Sequence, residues 1–209
     1  AVDRMMTLEH EGQVSLWLPR FDIEIENNVA KRLGMESIYS IINAGPGSYQ
    51  DHFTVMEQVW LKIKPDTQMN SAEFAKQYVA RDLLNLVFGN SDNHGRNISF
   101  LKRENDIEFA PIYDFAPMKA DPEMITRLFK WQRDCEKSGM VRFDKVAQEL
   151  RHFCPPEELV SYLSNLANKL ISLHELLNEL GCPKEIVDFP AIGFDRVKNK
   201  LIEMGVYHG

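Results

Sequence analysis

The stretch that most constrains this chain runs from Asn70 to Asn97. It opens on Asn70-Ser71-Ala72-Glu73, a capping-box pattern in which the two polar ends satisfy the free N–H groups of a helix start. Phe74, Ala75, Tyr78, Val79, Leu83, Leu86 and Val87 then recur at spacings of three and four and cover much of the circumference. This predicts a helix buried on most sides, running through the middle of a domain. An ordinary core helix has the same pattern, so the residues after it decide its meaning. They are Gly89-Asn90-Ser91-Asp92-Asn93-His94-Gly95-Arg96-Asn97, a loop without one large apolar side chain.

Beyond the loop come a short strand at Ile98 to Leu101, a turn at Lys102 to Asp106 and a second strand. Ala110-Pro111-Ile112-Tyr113-Asp114-Phe115 comes next. Asp92 stands five positions before Asn97, and Asp114 seventeen after it. Helix, polar loop, hairpin and aspartate, in that order, make the lower half of a phosphoryl-transfer site. There the first Asp orients or deprotonates the attacking hydroxyl, and Asn97 and Asp114 are hard oxygen ligands for Mg²⁺ on the nucleotide phosphates. Asp-x-x-x-x-Asn alone arises about once in several hundred residues by composition, and a solvated turn capping the helix uses the same letters. The order of elements favours the site.

Residues 89–101 together with Ala110-Pro111-Ile112-Tyr113-Asp114 resemble the signature of the HipA-type kinases, bacterial protein serine/threonine kinases known as toxins of toxin–antitoxin pairs. His94, two positions after Asp92, makes the likeness specific. Leu16-Trp17-Leu18-Pro19-Arg20-Phe21-Asp22 resembles that family's strand and hinge, usually ending Glu-Arg-Phe-Asp, and Arg32-Leu33-Gly34-Met35-Glu36 resembles the helix start after it.

The resemblance implies an α+β, mostly α-helical fold: a protein-kinase-like C-terminal lobe (residues 23–209) preceded by a remnant of the N-lobe β-sheet and hinge (residues 1–22). It implies ATP and Mg²⁺ as cofactors, a protein as phosphate acceptor, and a DNA-binding antitoxin as partner. Asp92 becomes the catalytic residue and Asn97 and Asp114 the metal ligands. The nucleotide would be contacted by Pro19, Arg20, Phe21, Asp22, His94, Gly95, Arg96, Asn97, Tyr113 and Asp114. The carbonyl of Pro19 and the N–H of Phe21 would bracket the adenine. Asp22 suits either a ribose hydroxyl or a turn, His94 either the nucleotide or the shape of the loop, and Arg96 either phosphate or a surface ion pair. Pro19 departs from the family's Glu, so any side-chain role at that position is lost.

A phosphoryl-transfer site also needs a phosphate-covering loop and a strand lysine ahead of the hinge. Before Pro19 there is one glycine, Gly12, and no lysine precedes Lys31. The expectation is the C-terminal part of a longer kinase, holding Mg-nucleotide poorly and inactive alone. Two rivals remain: a non-catalytic module that keeps the kinase-lobe shape to bind a partner, and a metal-dependent hydrolase using Asp92, His94 and Asp114.

Charge and composition exclude some classes. A net charge of −7 argues against gripping duplex DNA with this chain alone. Cys135, Cys154 and Cys182 lack metal-like spacing, which fits reduced thiols in a cytoplasm. No apolar run suits a membrane span.

The remaining pattern predicts strands at Met6 to Glu11 and Gln13 to Phe21, helices at Met35 to Ile42 and Phe53 to Ile63, and a turn at Gly45-Pro46-Gly47. A long helix is expected from Pro155, carrying Leu159, Leu163, Leu166, Leu170, Leu173, Leu177 and Leu180 at heptad spacing. Those leucines suit burial within the lobe or a dimer seam. A last helix spans 190 to 205.

Overall fold

The computed structural model describes residues 6–208; the first five residues of the 1–22 segment and Gly209 lie outside it. Its strands are β1 (Met6–His10), β2 (Gln13–Trp17), β3 (Ile23–Glu26), β4 (Val29–Arg32), β5 (Gly34–Ser37), β6 (Gln50–Asp51), β7 (Ser99–Lys102), β8 (Ile107–Phe109), β9 (Phe129–Lys130), β10 (Glu136–Lys137) and β11 (Met140–Val141). Its helices are α1 (Ile38–Ile41), α2 (His52–Ile63), α3 (Ser71–Phe88), α4 (Phe143–Glu149), α5 (Pro156–Leu170), α6 (Leu173–Glu179), α7 (Lys184–Val187) and α8 (Val197–Glu203). The fold is α+β with about 39% helix. That is less helix than expected, because short hairpins occupy ground that the apolar pattern leaves unmarked.

Three of those hairpins turn on two residues with positive φ: Glu11-Gly12, Asn27-Asn28 and Ser138-Gly139. Such turns match the right-handed twist of the strands they join. Strand β5 replaces the helix start expected from Arg32 and the first three residues of the helix expected at Met35 to Ile42, of which Ile38–Ile41 forms as α1. Met35 and Glu36 pair with Leu101 and Phe100 of β7, giving a three-stranded sheet in the order β5-β7-β8. Cross-strand pairing outweighs a helical periodicity only two turns long.

α3 forms as the pattern requires. Asn70 and Glu73 make the reciprocal capping box, and Gly89 closes the helix in the left-handed region at φ 70°. The core is wrapped around it. Phe74, Tyr78, Leu83 and Val87 are buried with Phe53, Val59, Trp131, Phe143, Leu159 and Leu163, each large apolar side chain contributing about 1.5–3 kcal/mol. The segment after α3 returns to α2 through β9, which runs parallel to β6.

Two expected helices are broken. The leucine-rich one stops at Leu170 and restarts at Leu173. Leu159, Leu163, Leu170 and Leu173 are buried inside the chain, while Leu180 is 73% exposed, so the heptad spacing marks an internal face. The last helix is shorter than 190–205. Gly193, at φ 66°, precedes a 3₁₀ turn at Phe194–Arg196, and α8 starts only at Val197. Gly45-Pro46-Gly47 is a turn with no regular element, as expected.

Candidate functional site

The polar loop begins where α3 stops. Asn90 bonds back to α3 twice, through its N–H to the Asn85 carbonyl (2.8 Å) and through Nδ2 to Asn85 Oδ1 (2.9 Å). Its Oδ1 then accepts the N–H of Asp92 (3.2 Å). Asp92 is therefore set on a loop whose root is tied to the most buried helix of the molecule. Its carboxylate remains part-exposed, with His94 Nε2 at 3.5 Å.

Asn97 closes the loop. Its N–H donates to the His94 carbonyl and its side-chain Nδ2 to the backbone carbonyl of Asp92, each at 2.9 Å. Anchoring Nδ2 fixes the direction of Oδ1, the atom able to ligate a hard cation. Asn97 also lines a narrow recess with Asn85, Asn90, Asn93, Ser99, Tyr113 and Phe115. Asp114 stands between the last two of these in the chain, but neither it nor Asp92 lines the recess. Asp114 is exposed and sits not on a strand, as its apolar approach suggested, but in a loop, in the left-handed region at φ 51°. β8 ends five residues earlier, at Phe109. Aspartate tolerates such a backbone better than most residues. Phe115 packs edge-on against Phe88 at the end of α3, with ring centroids 5.3 Å apart.

The remaining loop residues divide by role. Gly95 touches Tyr39 so closely that a Cβ there would lie 2.4 Å from the ring. The N–H of Tyr39 donates to the Gly95 carbonyl (3.1 Å). His94 stacks beside the same ring (6.2 Å between centroids), and its Nδ1 accepts the N–H of Arg96. His94 thus holds the loop's shape while facing Asp92. The Arg96 side chain is exposed. Its carbonyl accepts the Tyr113 hydroxyl, which also meets Ser99 Oγ at 2.6 Å.

The hinge stretch folds onto this side of the molecule. Phe21 packs tilted against Tyr113 (5.6 Å between ring centroids) and joins a small apolar cluster with Leu33, Leu101 and Ala110. Pro19 is half-buried and Arg20 exposed. Asp22 is buried and held by the guanidinium of Arg20 (2.8 Å to Nε), with Arg32 Nε at 3.6 Å. The hydrogen bonds from Arg20 keep its carboxyl below the usual range. Its backbone carbonyl accepts the N–H of Leu33. Of the two readings of Asp22, the geometry favours the turn over the ribose.

Sequence reasoning missed the side chains beneath the loop. Asp82 projects from α3 into the interior, 2% exposed. It accepts from Arg127 (2.9 Å), Trp131 Nε1 (2.7 Å) and Asn93 Nδ2 (3.0 Å), and His52 Nε2 lies 3.7 Å away. Burial alone would raise its pKa, but Arg127 and His52 hold it below the ordinary carboxylate value. His52 is fully buried, and that burial lowers its pKa to about 4. One signal was present: an aspartate between Val79 and Leu83 on an apolar helix face is rare unless it is paired.

These features define a class first: an α+β domain whose central buried helix delivers a braced, polar, oxygen-rich loop. The chain belongs to the family described as HipA-like C-terminal domain, which it matches over residues 1–173. A strong structural likeness is to HipA of Shewanella oneidensis MR-1, solved with HipB and its operator DNA as a toxin–antitoxin complex. The TM-score is 0.67 at 15% sequence identity, over 98% of this chain and 54% of that one. The chain therefore spans about half the length of that protein. No curated protein matches it. Among the described residues, no helix is long and apolar enough to cross a membrane.

Proposed function

We propose that this chain is the lower, catalytic half of an ATP- and Mg²⁺-dependent protein serine/threonine kinase of HipA type. Asp92 orients the acceptor hydroxyl and takes up its proton as the γ-phosphate is transferred in line to that oxygen. The observation that carries this reading is the bond from Asn97 Nδ2 to the Asp92 carbonyl. It ties Asp92 and the amide of Asn97 into one loop, and Asn97 lines a recess with Tyr113 and Phe115, the residues on either side of Asp114 in the chain. Asn97 Oδ1 and the exposed Asp114 carboxylate are the hard oxygen donors that Mg²⁺ takes. Bound there, Mg²⁺ would neutralise phosphate charge. His94 and Tyr113 keep the loop in place rather than reacting, and Phe21 packs over Tyr113 at the adenine side.

The first thirty residues contain no lysine, so the phosphate-covering half is supplied by other polypeptide, and residues 1–209 alone hold Mg-ATP weakly. A DNA-binding antitoxin is the partner we assign by family, and the cytoplasm the compartment. Calorimetric titration with ATP tests the site: binding should require Mg²⁺ and be lost in Asp114→Asn. Equal binding by that variant would refute the metal assignment, and vigorous ATP-dependent phosphorylation by these residues alone would refute the half-site reading.

One observation favours a second reading, a non-catalytic interaction module. Leu8, Val14, Leu16, Trp17 and Leu18 on and beside the β1–β2 hairpin are each more than half exposed, as in a surface meant to be covered. That reading expects no Mg-dependent nucleotide binding at all. The hydrolase alternative is weaker still, since among the described residues no three His, Cys, Asp or Glu side chains gather as a metal site.

A further inference from the structure

Asp82 is joined to three separate stretches of chain. From the loop comes Asn93, from the segment beyond Asp114 come Arg127 and Trp131, and from the start of α2 comes His52. The segment is itself cross-tied: Arg127 reaches Glu136 (3.2 Å), whose other oxygen accepts the N–H of Trp131 (3.0 Å). Asp82, Asn93 and Arg127 are each less than a tenth exposed. Removing ion pairs from water is costly, and apolar residues of similar size often stabilise a core better. A buried network therefore suggests a demand for position rather than for stability.

Asn93 shows what is positioned. It is the immediate neighbour of Asp92, and its Oδ1 is buried with no hydrogen-bond partner. The bond from Nδ2 to Asp82 is thus the side-chain hydrogen bond that holds Asn93, beside the bonds from Asn90 and Asn97 that hold Asp92. We propose that Asp82 is a positioning residue: through Asn93 it sets the loop bearing Asp92 and Asn97, and through Arg127 and Trp131 it locks that loop to the segment 127–136. The functional consequence rests on the phosphoryl-transfer reading of the loop. Loop and segment then shift together, so whatever displaces Arg127 also displaces Asp92.

The test compares wild type with Asn93→Ala, which cuts the link while leaving the Asp82–Arg127 pair intact, and with Asp82→Asn. Leu163→Val in α5 is the control for a general loss of stability. Backbone amide exchange at Asp92 and Asn97, without ligand, should speed up roughly tenfold or more in Asn93→Ala and Asp82→Asn but not in Leu163→Val. Mg-ATP affinity should fall by a similar factor, since small misplacements of a reactive group cost rate and binding steeply. Unchanged exchange in Asn93→Ala, alongside Mg-ATP binding that Asp114→Asn abolishes, would overturn the positioning role alone. Faster exchange in a protein whose wild type binds no Mg-ATP would refute the site reading and, with it, the role proposed for Asp82.

Discussion

The side-chain amide of Asn97 donates to the backbone carbonyl of Asp92 at 2.9 Å, so one residue both braces the loop and faces the recess beside it. The two duties separate by substitution. Asn97→Ala should lose about 1 kcal/mol of stability with the bond and abolish Mg-dependent ATP binding. Asn97→Asp keeps an oxygen ligand but no N–H, so it should lose the stability and retain part of the Mg²⁺ dependence. Thermal denaturation and calorimetry on the same samples read the two effects independently.

Gly95 is required for close approach rather than for an unusual φ. A methyl group there would meet the buried Tyr39 ring at 2.4 Å, and overpacking of this kind costs about 1–3 kcal/mol. Gly95→Ala should lower the melting temperature, and Tyr39→Leu added to it should recover part of the loss. Purely additive losses in the double variant would show that the ring is not the obstacle.

His52 predicts a pH dependence with a definite sign. Burial lowers its pKa to about 4 from an ordinary 6.5, so the unfolded chain binds this proton more readily. The stability attached to neutral His52 is complete above pH 6.5 and drains away as pH falls towards 4. At pH 5 the loss relative to neutral pH is about 2 kcal/mol. His52→Gln should flatten that limb of the denaturation profile. An identical slope in the variant would assign the acid sensitivity to other groups.

The β1–β2 hairpin carries its apolar residues in solvent, and a lone two-stranded sheet is marginally stable. Leu8→Lys and Leu16→Lys should therefore change stability by no more than about 0.5 kcal/mol. Leu83→Ala in α3 should cost about 2–5 kcal/mol. Amide exchange in residues 6–17 should be fast next to that in α3. A large loss from either lysine variant would mean that the hairpin is packed in solution.

The legibility of each element in the sequence depends on how local its signal is. The capping box at Asn70, the left-handed stop at Gly89 and the apolar circumference of α3 are local, and the helix forms as its letters say. The hairpin at Asn27-Asn28 is equally local, with Ile23-Glu24-Ile25-Glu26 alternating ahead of it, yet that alternation is too short to predict a strand by itself. The strand at Gly34–Ser37 was not readable, because it exists by pairing with β7, more than sixty residues away. The loop from Asp92 to Asn97 stood out by its polar letters. Asp82 shows the limit: its partners Asn93, Arg127 and Trp131 are recruited by tertiary structure, and only its misfit among apolar neighbours betrayed it.

The proposed convergence of Asp92, Asn97 and Asp114 on one metal-bound triphosphate is most directly tested by paramagnetic broadening of amide resonances on titration with Mn²⁺-ATP. Broadening should centre on Asn97 and Asp114, extend to Asp92, spare α5, and vanish in Asp114→Asn. Broadening centred elsewhere, or surviving unchanged in that variant, would contradict a shared site.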